Sequence, residues 1–155
     1  MSIKLDLALK LVKESEGFSA VPYYCPRNRL TQGYGRNLEA HPLNELEKKQ
    51  LNEDGTVSKE VATQWAMKEL IECEFKLKDN IIYKNQSHVR KAVLLDMCFN
   101  IGYSGLMKFK KMWLALGNKD YPEASRQMKD SAWYTQVGNR SKRNVEIMAS
   151  NQIKG

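Results

Sequence analysis

Glu16-Gly17-Phe18-Ser19-Ala20-Val21-Pro22-Tyr23-Tyr24-Cys25-Pro26-Arg27-Asn28-Arg29-Leu30-Thr31-Gln32-Gly33-Tyr34-Gly35 is the stretch that decides the fold. Before it, Leu5, Ala8, Leu9 and Val12 recur at helical spacing, with lysines between them. Ser2 suits the N-cap of this first helix and Gly17 its stop. After Gly17 the character changes. Pro22, Pro26, Gly33 and Gly35 break helices, while Val21, Tyr23, Tyr24, Thr31 and Tyr34 suit short strands. Pro26-Arg27-Asn28-Arg29 reads as the turn between two of them.

Downstream, helical patterns dominate. Leu38 to Asn52 is ambiguous and suits at most a short charged helix. Ser58 opens a long helix running to about Asn80, with Val61, Trp65, Met67, Leu70, Ile71, Phe75 and Leu77 as a broad apolar stripe. Ser87 caps the next, whose Val89, Ala92 to Leu95 and Met97 to Phe99 cover most of its circumference, as in a buried helix. Gly102 to Gly105 ends it. Further helices are expected over Leu106 to Leu116, after the Asp120 cap with Pro122 in the first turn, and over Asn139 to Ala149. The expected fold class is α+β: a small β-containing lobe at 15–57, and a helical lobe of 1–14 with 58–155, with a cleft between them.

The chain has 155 residues, 42% hydrophobic and 28% charged, which describes a globular domain. No apolar run approaches the roughly 18 residues of a membrane span. The charges Met1 to Glu14 carry exclude a secretory signal there. Three scattered cysteines, Cys25, Cys73 and Cys98, form no disulfide framework, and no CxxC pair accompanies His41 and His88. The reading is of a chain folded in a reducing cytoplasm, with no metal and no cofactor. The net charge of +7 admits nucleic acid, an anionic membrane face or an acidic polymer as partner.

Glu16 sits at a helix C-terminus, where free carbonyls disfavour a carboxylate's charge; that suits a proton donor. An ordinary surface glutamate fits the local features equally. The order Glu16, Cys25, Thr31, then Gly33-Tyr34-Gly35 resembles the phage T4-type lysozyme family of endolysins, the muramidases of glycoside hydrolase family 24. That family shows a helix-terminal Glu-Gly, an Asp nine residues after the Glu, a Thr six later, then G-x-G. This chain departs at one position, Cys25 standing for Asp. The stretch Val89 to Gly102 resembles the family's central helix. Ser131-Ala132-Trp133-Tyr134 with Gly138 to Arg143 is similar to its C-terminal block.

The resemblance implies a lysozyme-like fold and hydrolysis of the β-1,4 bond between N-acetylmuramic acid and N-acetylglucosamine. It implies Glu16 as general acid and a water held by Thr31 and Cys25. Cys25 is then either a thiolate base or a buried spectator beside Thr31. Arg140 matches the arginine that pairs with the catalytic glutamate. Phe99 and Asn100 align with groove-lining residues, Phe99 suiting core as well; Asn37 is placed to meet an acetamido group. Trp65, Trp113 and Trp133 suit core at helical spacing. Cys73 and Cys98 read as structural, and His41 and His88 as solvent-facing. The implied partner is bacterial peptidoglycan, reached from the host cytoplasm after a holin permeabilises the membrane, by a monomer that does not insert stably. Two rivals remain: a lytic transglycosylase giving 1,6-anhydro ends, and a basic wall-binding module. No recognised motif supports nucleic acid.

Overall fold

The Glu16 stretch folds as a helix end followed by a small sheet. In the computed structural model, which describes residues 2–154, α1 (Ile3–Glu16) stops where Gly17 turns to φ +65° and its N–H donates to the Lys13 carbonyl at 3.1 Å. Strands β1 (Ser19–Tyr24), β2 (Leu30–Gly33) and β3 (Arg36–Asn37) then form an antiparallel sheet in the order β1-β2-β3. The predicted turn is there: Asn28, at φ +59°, donates its N–H to the Cys25 carbonyl at 2.8 Å. Its register sets Tyr23 opposite Thr31, and Thr31 opposite Asn37.

The helical elements that follow are α2 (Glu45–Lys49), α3 (Lys59–Leu77), α4 (Ile81–Lys84), α5 (His88–Met107), α6 (Lys110–Gly117), α7 (Tyr121–Lys129), α8 (Ala132–Val137) and α9 (Asn139–Ser150). The caps at Ser87 and Asp120 fall where the sequence puts them, each side chain accepting an N–H three residues on. Ser58 accepts from the Val61 N–H at 3.2 Å.

Four details differ from the sequence reading. Helix α3 ends at Leu77, because Asn80 caps the separate α4 through the N–H groups of Ile82 and Tyr83. Its apolar stripe is narrower than expected. Ala62, Trp65, Ala66, Leu70, Cys73 and Leu77 are buried, but Ile71 and Phe75 are 51% and 67% exposed. Phe75 instead meets a cation at the surface, with Lys78 Nζ 4.3 Å from the ring centre. The expected break at Gly102 is real (φ 81°, ψ 163°), yet helical turns resume to Met107 and pause again before Lys110. Helix α8, capped by Ser131, went unread because six residues carry too little periodicity.

The chain divides into two compact units, with boundaries inside α1 and α3. One is Val12–Glu69, holding the sheet and α2. Its interior includes Val12, Tyr34, Val57, Ala62 and Trp65. Arg36 and Glu47 form a buried pair there, at 2.6 and 3.0 Å, below the Trp65 ring. Glu47 also completes a capping box with Asn44. The other unit contains the described residues up to Leu11 and from Leu70 onward. Helix α5 is its centre: Ala92 to Cys98 are all at most 3% exposed. Leu106, Met112, Leu116, Met128 and Met148 fill the space around it, each worth about 1.5–3 kcal/mol on burial. Among the described residues, no helix is long and apolar enough to cross a membrane.

Candidate active site

The three sequence-predicted catalytic residues, Glu16, Cys25 and Thr31, all belong to the Val12–Glu69 unit. Glu16 ends α1 half-buried, and its carboxyl rests against the Cα of Gly35. A Cβ built on Gly35 would lie 2.0 Å from Glu16 Oε2 and 2.4 Å from Cδ. Gly35 also holds φ +69°, which side chains with a Cβ rarely adopt. The glycine is therefore required twice, for its backbone angle and for the space the carboxyl occupies.

Cys25 follows the last residue of β1, half-buried. Its N–H donates to the Arg29 carbonyl at 3.0 Å, closing the hairpin. Burial pushes its thiol up, but the Arg29 and Arg27 amides and the Thr31 hydroxyl, all donating to the sulfur, pull it down further. The net direction is below the ordinary thiol value, so the thiol ionises more readily than that of a free cysteine. Thr31, 5% exposed, also donates to the Arg29 carbonyl at 2.9 Å. A hydroxyl has one proton, so it serves the carbonyl or the sulfur in alternation, and its lone pairs stay available to a water.

Tyr23 joins these groups. Burial raises its phenol above the usual value, and the charges of Glu16 and then Cys25 add to the effect. Glu16, Tyr23 and Cys25 thus share one electrostatic neighbourhood, with Thr31 opposite Tyr23 in the sheet. The sequence reading treated Tyr23 only as a strand former. Alternation could have found it, since residues two apart on a strand share a face. Next to this cluster, the Phe18 and Tyr34 rings pack tilted at 53° with centroids 5.4 Å apart, and Lys13 Nζ stands 5.2 Å from the Tyr34 ring centre.

Asn37 is half-buried on β3 and spends its Oδ1 on the N–H groups of Glu39 and Ala40, both at 3.0 Å. Both carbonyl lone pairs are thereby used, so only its amide NH2 can serve a sugar.

The remaining candidates belong to the other unit. Phe99 and Asn100 are half-buried on α5, and Asn100 Oδ1 accepts the Trp133 indole N–H at 2.9 Å. Arg140, 8% exposed, grips Asp96 with two parallel bonds, Nε to Oδ2 at 3.0 Å and Nη2 to Oδ1 at 2.8 Å. Asp96 is fully buried and also accepts from Arg143 at 3.2 Å and Asn144 at 2.9 Å. This cluster escaped the sequence reading, which gave Asp96 no role. Trp65, Trp113 and Trp133 are all buried, as their spacing suggests, and His41 and His88 are exposed. Among the described residues, no three His, Cys, Asp or Glu side chains gather as a metal site would need.

A helix-terminal glutamate fixed on a glycine, beside a hairpin that presents a cysteine and a threonine, defines a recognisable class. The phage lysozyme family matches over residues 13–146, and the chain belongs to that family. Among its relatives, probable T4-type lysozyme 1 of Dictyostelium discoideum is 32% identical over 72 residues, 46% of this chain and 42% of that protein. Probable T4-type lysozyme 2 of the same organism is 36% identical over 73 residues, 47% of this chain and 43% of that protein. The pre-baseplate central spike protein Gp5 of Enterobacteria phage T4 is 22% identical across 94% of this chain, but only 28% of its own length is covered. The chain thus aligns with less than half the length of each of these relatives.

Proposed function

We propose that this protein is a muramidase that hydrolyses the β-1,4 bond between N-acetylmuramic acid and N-acetylglucosamine in bacterial peptidoglycan. The observation that carries the reading is the seat of Glu16 on Gly35, in the same neighbourhood as Cys25 and Thr31. Glu16 gives its proton to the glycosidic oxygen as that bond breaks. A water held by Thr31 attacks the anomeric carbon, and the Cys25 thiolate takes the proton the water releases. The oxocarbenium-like transition state is thus met by an activated water. Attack from the face opposite the leaving group inverts the anomeric centre.

Asn37, Phe99, Asn100 and Arg140 serve as substrate contacts in this reading. The amide of Asn37 donates to an acetamido carbonyl, and Phe99 offers an apolar face to a sugar. The net charge of +7 draws the enzyme to the anionic wall. Lysis of a phage or prophage host, acting as a monomer after a holin opens the membrane, is the setting we infer.

Cys25 also favours a second reading. If the thiol takes no part, the sugar's own hydroxyl can replace water, as in a lytic transglycosylase. Mass spectrometry of digested peptidoglycan separates the two. Reducing N-acetylmuramic acid ends support hydrolysis; 1,6-anhydro ends support the transglycosylase. Absence of cleavage on every wall type would refute both and favour a wall-binding module.

A further inference from the structure

The register of the sheet sets three polar side chains in one row. Tyr23 on β1 pairs with Thr31 on β2, and Thr31 pairs with Asn37 on β3. Residues directly opposite one another in an antiparallel sheet point to the same face, with Cβ atoms about 5 Å apart. Phenol, hydroxyl and carboxamide therefore stand side by side across the strands, with Thr31 in the middle. The proposed chemistry uses Thr31 for the water and Asn37 for an acetamido group. It leaves Tyr23 without a part.

The pitch of this row is close to the length of one sugar along a β-1,4 glycan. A glycan that crosses the strands with its reacting carbon over Thr31 sets one neighbouring sugar over Asn37 and the other over Tyr23. Tyr23 suits such a contact. It is 38% exposed, so part of its ring and hydroxyl meets solvent. Its phenol keeps its proton near neutral pH, because burial and the charges of Glu16 and Cys25 all oppose ionisation. A neutral phenol donates to a sugar oxygen, and its ring offers an apolar face to the sugar's C–H groups. The next residue, Tyr24, pairs with Leu30 and by strand alternation points to the other face of the sheet.

We propose that Tyr23 is a further substrate contact, holding the glycan on the side of the cleaved bond opposite Asn37. The proposal rests on the muramidase reading of Glu16 and Thr31. It adds a direction to that reading: the glycan runs across the strands, and the two outer side chains of the row hold it on either side of the reacting carbon.

The test measures binding in the Glu16→Gln protein, which should hold the glycan without cleaving it. The probe is a soluble tetrasaccharide of alternating N-acetylglucosamine and N-acetylmuramic acid with its peptides attached, titrated by calorimetry. Adding Tyr23→Phe, which removes only the hydroxyl, should weaken binding about 3- to 10-fold, the loss of one hydrogen bond. Adding Tyr24→Phe should leave binding unchanged. Tyr23→Phe together with Asn37→Ala should multiply the two single losses, since they act on different sugars. Wild type is assayed alongside for cleavage of the same tetrasaccharide. Tyr23→Phe binding as tightly as its parent, while wild type cleaves, would overturn the contact and leave the muramidase reading standing. Equal losses from Tyr23→Phe and Tyr24→Phe would also overturn it, as a general effect on the hairpin. Weaker binding by Tyr23→Phe alone, with no cleavage by wild type, would keep the contact and remove the hydrolytic reading. No binding by the parent would overturn both.

Discussion

Gly35→Ala should disable the enzyme without unfolding it. The new Cβ would stand 2.0 Å from Glu16 Oε2, where real contacts keep at least about 3.0 Å. The carboxyl must therefore retreat by about 1 Å. A displacement of that size in a reacting group costs on the order of 100-fold in rate, or about 2.7 kcal/mol of barrier. The φ of +69° adds backbone strain of about 1–2 kcal/mol to the folded state. Gly55→Ala isolates this second cost, because Gly55 holds φ +84° with nothing within 4 Å of its built Cβ. Both variants should lose similar stability in urea titrations. Only Gly35→Ala should lose kcat, read as release of reducing ends from purified peptidoglycan. A Gly35→Ala enzyme within threefold of Gly55→Ala would refute either the seat of Glu16 or its role.

Four further outcomes follow from the same structure. Cys25→Ala should lower kcat by at least about 100-fold, and Cys25→Asp should restore much of it, if the thiolate is the base. In the wild type, kcat should fall as pH drops through the lowered Cys25 value, and native alkylation should proceed below the ordinary thiol range; an alkylated enzyme at full rate would remove the base. Glu47 is held down to about 2, chiefly by its Arg36 bond against burial, so its contribution is present above the unfolded value near 4.5 and lost as pH falls through about 2. Glu47→Gln should cost about 2–3 kcal/mol at pH 7 and little near pH 2, measured by urea denaturation. Asp96→Asn weakens the bonds to Arg140, Arg143 and Asn144 and should lower Tm by roughly 6–12 °C, given a cost of about 3 kcal/mol; an unchanged Tm would count against a structural charge there.

Much of the fold was legible because its signals are local. Gly17, Ser58, Ser87 and Asp120 punctuate helices through backbone bonds made within a few residues. The buried helix α5 announced itself by being apolar on nearly every side. The width of the α3 stripe was not legible, since periodicity alone does not say that Phe75 stays at the surface against Lys78 and outside the core. The pairing of Arg36 with Glu47 spans 11 residues of loop and helix, and Asp96 meets Arg140 across 44. Such contacts depend on tertiary packing, and no periodicity encodes them. The candidate site lies between these cases. The spacing of Glu16, Cys25 and Thr31 is written in the sequence, while the seat on Gly35 and the nearness of Tyr23 needed coordinates.

The most direct test of the central claim is a paired digestion of purified peptidoglycan by wild type and Glu16→Gln, at equal folded concentration verified by circular dichroism. Wild type should release reducing N-acetylmuramic acid ends, and Glu16→Gln, which keeps the shape but donates no acidic proton, should release at least about 1,000-fold fewer. Release by Glu16→Gln at a rate near that of wild type would contradict the account.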